Sequence, residues 1–147
     1  MEFALEDMEL STVSEVALAL FHSGALKFGE FRLKSGVVSP YYIDLTWLLS
    51  SPGDFRCVVD ASAEQIRKIM ASKKVDKLAS IELKGALLLP SIAEKLNLPC
   101  LVVRKQEKEY GVTGRIAGGD VTKGDRILFF DDIVTDAESK LEGVKPL

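Results

Sequence analysis

Histidine and cysteine are scarce in this sequence of 147 residues, which contains one histidine, His22, and two cysteines, Cys57 and Cys100. A Ser-His-Asp triad or a histidine-based metal centre therefore has almost nothing to build on. We expect His22 to lie on the surface or at a helix end. The cysteines stand alone in a chain without a secretion signal, so we expect two reduced, buried thiols.

Long apolar runs and an excess of one charge are also missing. No stretch approaches the roughly 20 apolar residues that a membrane-spanning helix needs. The acidic N-terminus "MEFALEDMEL" lacks the basic and apolar segments of a signal peptide. The net charge of −3 gives no support for a nucleic acid or a membrane surface as partner. The glycine loops of P-loop and dinucleotide-binding proteins are absent as well. We expect a cytoplasmic protein.

The composition that remains is that of one ordinary globular domain over residues 1–147, with 47% hydrophobic and 28% charged residues. Its first part, residues 1–50, predicts a helix followed by a β-hairpin. The pair Thr12 and Glu15 has the spacing of a capping box that would start the helix. Alternating apolar residues between Phe28 and Asp44, interrupted by a turn at Ser35-Gly36, predict the hairpin.

The remaining part, residues 51–147, alternates between predicted helices and short apolar strands. Ser51-Pro52 is a good helix start, and Pro90 should kink or shorten a later helix. Strands are predicted at 77–83, 100–103 and 126–130, and later helices at 86–97 and 136–143. Continuous apolar strands that alternate with helices are typical of a sheet covered on both faces. The sequence therefore predicts an α/β fold with a mostly parallel sheet flanked by helices.

Segments that follow the strands carry the candidate site, because ligands of open α/β sheets bind beyond the carboxyl ends of the strands. Residues 104–119 are predicted to be an open stretch, rich in basic residues and glycine. We interpret them as a mobile loop that closes over a polyanionic ligand. The alternative is a solvated β-hairpin tip. Lys84-Gly85, just before a helix, could cradle a phosphate, or could be an ordinary surface turn.

The stretch "RILFFDDIVTDAESKLEG" places two adjacent carboxylates, Asp131 and Asp132, at the end of an apolar strand. Such a pair can accept hydrogen bonds from a vicinal diol or hold Mg²⁺. Thr135 and Ser139 follow about one helical turn apart, where hydroxyl and backbone N–H groups could meet a phosphate monoester. The alternative is a solvated acidic turn closed by a capping box of Thr135 and Glu138.

Taken together, these segments resemble the type I phosphoribosyltransferases, and within them the orotate phosphoribosyltransferase family, over nearly the whole chain. The segment "FGEFRLKSGVVSPYYID" is the most distinctive, since it is similar to that family's N-terminal β-hairpin hood. "ILFFDDIVTDAES" is similar to the family's signature for phosphoribosyl pyrophosphate (PRPP). Other phosphoribosyltransferases lack the hairpin, so the resemblance favours orotate over other bases.

The resemblance implies a role for each matching residue. In the hairpin, Lys34 would contact the pyrophosphate side of PRPP, while Tyr42 and Ile43 would lie against orotate, supported by Tyr41. Lys84 and Gly85 fall in the pyrophosphate-binding loop. The residues of the catalytic loop would be Arg104, Lys105, Lys108 and Tyr110, the last standing where many members have histidine. The PRPP signature would place Asp131 and Asp132 on the ribose hydroxyls, and Thr135 and Ser139 at the 5′-phosphate.

The implied reaction transfers the ribose 5-phosphate of PRPP to orotate, giving orotidine 5′-monophosphate and pyrophosphate in pyrimidine biosynthesis. Lys105, Lys108, Asp131 and Asp132 would be its catalytic residues. Mg²⁺ is the implied cofactor, carried by PRPP, with the two aspartates as the residues that could hold it. The resemblance also implies a homodimer whose loops reach into each other's sites.

Family members continue past the position of Leu147 with a further strand. We therefore expect the α/β core to lack that strand, because the chain is either a truncated form or a shortened paralogue. Two alternatives to the orotate enzyme stay open. One is a non-catalytic or regulatory paralogue that binds PRPP or nucleotides, which the acidic "TDAES" segment favours. The other is a phosphoribosyltransferase for another base.

Overall fold

The computed structural model describes residues 2–33, 35–111, 113–133, 141 and 144–147, and the side chains of residues 2–10 and of Lys108 lie outside that description. The chain contains two compact units, Met1–Ala61 and Ser62–Leu147. The single domain expected over residues 1–147 stays a prediction. The helix expected at 136–143 falls almost entirely outside the described residues.

The first unit is built from a helix and a hairpin. Its elements are helix α1 (Glu2–His22), strands β1 (Leu26–Arg32) and β2 (Val38–Ile43), a 3-10 helix (Leu45–Ser50) and the start of helix α2 (Pro52–Met70). β1 and β2 pair antiparallel, with Leu26 opposite Ile43, which confirms the predicted hairpin. α1 already includes Thr12 as an interior residue, so the capping-box start was wrong. His22 is exposed in the last turn of α1, as expected.

The first unit contains a capped 3-10 helix, a small apolar core and one free cysteine. The carboxylate of Asp44 accepts hydrogen bonds from the N–H and the hydroxyl of Thr46, at 3.2 and 2.9 Å, and so caps the 3-10 helix that the sequence did not predict. The buried apolar side chains of the first unit are Ala19, Ala25, Leu45, Leu48, Val58 and Val59. Cys57 is a free, half-buried thiol whose pKa is raised by burial and by the carboxylates of Glu15, Asp54 and Asp60.

The second unit is a four-stranded sheet with helices. Its strands are β3 (Lys77–Ile81), β4 (Cys100–Lys108), β5 (Gly114–Ala117) and β6 (Ile127–Phe129), in the order β5-β4-β3-β6. β3 is parallel to both β4 and β6, and β5 is antiparallel to β4. Helix α3 (Lys84–Leu96) packs against β3 and β4. The predicted α/β fold with a mostly parallel sheet is therefore confirmed.

The second unit buries apolar side chains from its strands and helices. The buried ones are Ala63, Ile66, Leu78, Ala79, Leu88, Leu89, Ile92, Ala93, Leu101 and Val103. α3 runs through Pro90 without ending there, so the proline does not shorten the helix. Pro90 is exposed, and the buried residues on either side of it stabilise the helix against the loss of one backbone hydrogen bond. Cys100 is free and half-buried, and burial raises the pKa of its thiol.

The prediction that residues 104–119 form an open stretch was wrong. β4 continues to Lys108, and β5 returns beside it, so this part of the chain is an antiparallel ribbon. Two arginine side chains stabilise the pairing. Arg104 donates to the carbonyl of Gly114 at 2.9 Å, and Arg115 donates to the carbonyl of Arg104 at 3.1 Å. The hairpin conformation considered as the alternative is the one observed.

At the amino ends of the parallel strands, an ion pair joins β3 to the segment before β6. The ammonium of Lys77 donates to the carboxylate of Asp125 and to the carbonyl of Asp120, each at 2.7 Å. Asp125 also accepts from the N–H of Thr122. These hydrogen bonds, first that of Lys77 and then that of Thr122, hold the pKa of Asp125 below its ordinary value. Within the described part of the chain, no helix is long and apolar enough to cross a membrane.

Candidate active site

The carboxyl ends of β3 and β6 lie side by side because the two strands are parallel neighbours. The turn after β3 and the residues after β6 therefore meet at one edge of the sheet. They enclose a cavity of about 290 Å³ lined by Ile81, Glu82, Leu83, Lys84, Lys105, Asp131 and Asp132. We call it the acidic-basic cavity. Four residues that the sequence singled out, Lys84, Lys105, Asp131 and Asp132, are thus brought together.

Gly85 forms the floor contact between α3 and the aspartate pair. It is the second residue of α3, rather than part of a loop before the helix, and it is buried. A Cβ atom at this position would lie 2.5 Å from the hydroxyl oxygen of Ser80 and 2.8 Å from Oδ1 of Asp131. It would also lie 3.1 Å from Cα of Asp131. Glycine fits here because the backbone of Asp131, just after β6, passes too close to leave room for a side chain.

The two aspartates are held differently from a solvated acidic turn. Both are half-buried. Oδ1 of Asp131 accepts a hydrogen bond from the N–H of Asp132 at 2.8 Å, and Oδ2 of Asp131 is shielded from solvent. A carboxylate oriented by the backbone at a sheet end can accept hydrogen bonds from hydroxyl groups with little reorganisation.

Glu82 is a cavity residue that the sequence reasoning missed. Its carboxylate accepts a hydrogen bond from the backbone N–H of Lys105 at 2.6 Å, which ties the end of β3 to β4. The cavity wall therefore carries three carboxylates and two ammonium groups. The only signal in the sequence is an acidic residue directly after the apolar strand "KLASI". The peptide bond between Glu82 and Leu83 is cis.

Arg104 and Lys105 are adjacent in β4, yet they line different cavities. Lys105 lines the acidic-basic cavity, whereas Arg104 lines a second cavity of about 660 Å³ beside β5. Successive side chains of a strand point to opposite faces, which explains the separation. Arg115 and the glycine-rich segment Gly118-Gly119 also line this second cavity. The structure does not bring Arg104 to the first cavity.

The other predicted site residues lie elsewhere or outside the described residues. Tyr42 and Ile43 belong to β2 in the first unit, where the ring of Tyr42 lies 5.6 Å from that of Phe31. Tyr110 lies between β4 and β5 and is 80% exposed. Lys34, Thr135 and Ser139 fall outside the described residues, as does the side chain of Lys108.

Of the three carboxylates on the wall of the acidic-basic cavity, the adjacent pair Asp131 and Asp132 is the one predicted to hold a metal ion, and the described residues offer no complete set of protein ligands. Among the residues that the structure describes, no group of three or more His, Cys, Asp or Glu side chains could hold a metal ion. Asp131 and Asp132 fit a divalent ion only if its other ligands come from a bound substrate or water, as Mg²⁺ commonly arranges with substrate phosphates.

The sequence and the fold are similar to those of known proteins. The chain is 33% identical over 133 residues to the orotate phosphoribosyltransferase of Pyrococcus abyssi, an alignment that covers 90% of this chain and 71% of that protein. Its structure is similar to that of Leishmania donovani UMP synthase, with a TM-score of 0.74, 34% identity, and coverage of 90% of this chain and 28% of that chain. It is also similar to the orotate phosphoribosyltransferase of Aeropyrum pernix, with a TM-score of 0.71, 25% identity, and coverage of 89% and 72%.

No protein-family model matches the chain. The mostly parallel sheet flanked by helices and the similarity to these structures place the chain in the class of the type I phosphoribosyltransferases. Within that class, the chain belongs to the orotate phosphoribosyltransferase family. It spans about seven tenths of the Pyrococcus abyssi protein and just over a quarter of the Leishmania donovani UMP synthase.

Proposed function

We propose that the protein transfers the ribose 5-phosphate group of PRPP to orotate, forming orotidine 5′-monophosphate and pyrophosphate. One observation carries the proposal. Lys84, Lys105, Asp131 and Asp132 surround a single cavity at the carboxyl edge of the sheet, in a chain that belongs to the orotate phosphoribosyltransferase family. The reaction is a step of pyrimidine biosynthesis, and a cytoplasmic location is part of the proposal.

In this proposal the two signs of charge on the cavity wall act on different parts of PRPP. Asp131 and Asp132 accept hydrogen bonds from the ribose hydroxyls, where a charged acceptor makes a stronger bond than a neutral one. Lys84 and Lys105 face the pyrophosphate. The transition state resembles an oxocarbenium ion, and negative charge grows on the departing pyrophosphate, so ammonium groups held nearby lower its free energy. No covalent nucleophile is needed.

Mg²⁺ is the proposed cofactor, and it would enter with PRPP. Asp131 and Asp132 are the residues that would hold it, together with oxygens of PRPP itself, since Mg²⁺ commonly combines one or two protein carboxylates with substrate phosphates. Bound there, the ion would supply positive charge to the pyrophosphate. With or without the ion, Asp131 and Asp132 would accept hydrogen bonds from the ribose hydroxyls.

The remaining contacts of the proposal come from the resemblance to the family. Tyr42 and Ile43 of the hairpin would lie against orotate, and Lys34 would reach the pyrophosphate side of PRPP. Thr135 and Ser139 would bind the 5′-phosphate. The Phe31–Tyr42 ring contact supports the hairpin assignment, because it holds a flat aromatic surface in a defined orientation.

We also propose a homodimer in which the ribbon of β4 and β5 serves the neighbouring site. The divergence of Arg104 and Lys105 supports it, since Arg104 lines a different cavity of its own chain. Arg104, Lys108 and Tyr110 would act on the partner copy. Apolar side chains exposed in the first unit, including Phe21 at 55% and Phe28 at 69%, are typical of an interface. Sedimentation equilibrium tests the dimer, and a monomer at enzyme concentrations would contradict it.

Loss of orotate absorbance in the presence of PRPP and Mg²⁺ tests the function, with adenine and uracil as competing bases. We expect consumption of orotate and no consumption of the other bases. Tight PRPP binding without consumption of any base would instead identify the non-catalytic paralogue. Consumption of another base in place of orotate would identify a phosphoribosyltransferase for that base.

A further inference from the structure

The hydrogen-bond ladder between β3 and β4 has an unusual last step. Ile81 pairs with Val103, and the N–H of Glu82 donates to the carbonyl of Val103 at 3.0 Å. In a parallel ladder, the next bond would run from the N–H of Lys105 to the backbone carbonyl of Glu82. The N–H of Lys105 instead donates to the side-chain oxygen Oε1 of Glu82, at 2.6 Å.

The substitution of a side-chain oxygen for a backbone carbonyl has a structural reason. β3 ends at Ile81 and α3 begins at Lys84, so the chain leaves the strand direction at Glu82. The carboxylate of Glu82 accepts the next hydrogen bond of the ladder, from the N–H of Lys105, where the backbone carbonyl no longer does. A hydrogen bond from an N–H group to a carboxylate is also stronger than one to a neutral carbonyl.

We infer that Glu82 is a positioning residue: it fixes the backbone of Lys105 at the rim of the acidic-basic cavity, so that the Lys105 ammonium can meet the departing pyrophosphate. The role of the Lys105 ammonium toward pyrophosphate rests on the proposed function. Lys105 itself is exposed and has a flexible four-carbon side chain, so the position of its Cα decides where the ammonium can reach. Glu82 also lines the cavity, and its charge opposes the binding of an anion there.

Glutamine and alanine at position 82 separate the two effects. Glu82→Gln keeps an oxygen acceptor and removes the charge, whereas Glu82→Ala removes both. We expect Glu82→Ala to lower kcat about tenfold. We expect Glu82→Gln to keep kcat within about twofold of the parent and to lower the KM for PRPP about twofold or more, because a repelling charge is gone. Glu94→Gln, an exposed change on α3, is the matched control and should alter neither.

A double-mutant cycle tests whether Glu82 acts through Lys105. Lys105→Ala keeps the backbone N–H and therefore the hydrogen bond, but removes the ammonium that the bond positions. In that background, Glu82→Ala should cost no further activity. A full additional tenfold loss would show that Glu82 acts on the site independently, and would overturn the inference.

Hydrogen exchange at the Lys105 amide provides a readout that does not depend on turnover. Glu82→Ala should speed exchange at this amide at least tenfold, and Glu82→Gln should speed it less. If the parent does not consume orotate but exchange changes in this way, the proposed function fails while the hydrogen-bond role of Glu82 stands. If the parent is active and neither kcat nor exchange responds to Glu82→Ala, the inference is wrong and the proposed function stands.

Discussion

Gly85→Ala is the sharpest test of how the site is built, because the added methyl group meets the aspartate that is proposed to bind ribose. The new Cβ would lie 2.5 Å from Oγ of Ser80 and 2.8 Å from Oδ1 of Asp131. Ser80 is fully buried in β3 and cannot swing into solvent. The third contact, 3.1 Å to Cα of Asp131, is with backbone. Relief of the overlap therefore requires the segment after β6 to move away from α3.

The expected magnitude follows from two opposing effects. Overpacking of a closed contact costs roughly 1–3 kcal/mol. Alanine is favoured over glycine inside a helix by about 1 kcal/mol, and Gly85 lies in α3, so part of the cost is offset. The two effects leave an expected net loss of about 0–2 kcal/mol, or at most roughly 8 °C in Tm, whereas Gly53→Ala gains the helix preference without the overpacking cost. Affinity for PRPP should fall more, by about tenfold or more, since Asp131 is displaced.

Gly53→Ala is the matched control, because Gly53 lies in α2 with open space where its Cβ would stand. This variant should be as stable as the parent or slightly more stable, and its PRPP affinity should be unchanged. Calorimetric titration and thermal unfolding of both variants provide the comparison. If Gly85→Ala matched Gly53→Ala in Tm and in PRPP affinity, the close approach of Asp131 to α3 would be refuted.

Three further predictions concern individual charges. Asp131→Asn with Asp132→Asn should abolish Mg²⁺-dependent PRPP binding in calorimetry while leaving Tm nearly unchanged, because amide oxygens can still accept the backbone hydrogen bond; unfolding would make the pair structural. Lys105→Ala should lower kcat far more than PRPP affinity in steady-state kinetics, since the ammonium acts on charge that develops in the transition state; equal turnover would remove Lys105 from the mechanism. Because the pKa of Asp125 is lowered in the folded state, its ionised carboxylate should stabilise the protein above pH 3.8, and this stability should be lost as pH falls through the folded-state pKa. In denaturant unfolding from pH 7 to 2, Asp125→Asn should therefore lose less stability at acid pH than the parent does. Identical profiles would contradict the role of the Lys77–Asp125 pair.

The parallel part of the sheet could be predicted because its strands are short apolar runs. β3, β4 and β6 begin within or beside the predicted segments, and each contributes buried or half-buried side chains to a common core. The meeting of Lys84 with Asp131 was also predictable, since both follow parallel strands and their carboxyl ends share one edge. Local composition was enough where burial determines the structure.

The ribbon of β4 and β5 could not be predicted from composition, because its residues are mostly polar. Its pairing includes side-chain hydrogen bonds such as that from Arg115 to the carbonyl of Arg104, eleven residues earlier, which no local pattern of polar residues reveals. Gly118, with φ at +103°, allows the chain to pass so close to the carbonyl of Cys100 that a Cβ would lie 2.6 Å from it. The role of Glu82 depends in the same way on the register of the ladder, which no local pattern reveals.

The most direct test measures orotate consumption and pyrophosphate release in the same sample, for the parent and for Lys84→Ala. If the acidic-basic cavity performs the transfer, the parent should consume one orotate for each pyrophosphate released, and Lys84→Ala should slow both rates equally. Release of pyrophosphate without loss of orotate would show hydrolysis of PRPP instead. Orotate consumption that is unaffected by Lys84→Ala would show that the chemistry takes place outside this cavity.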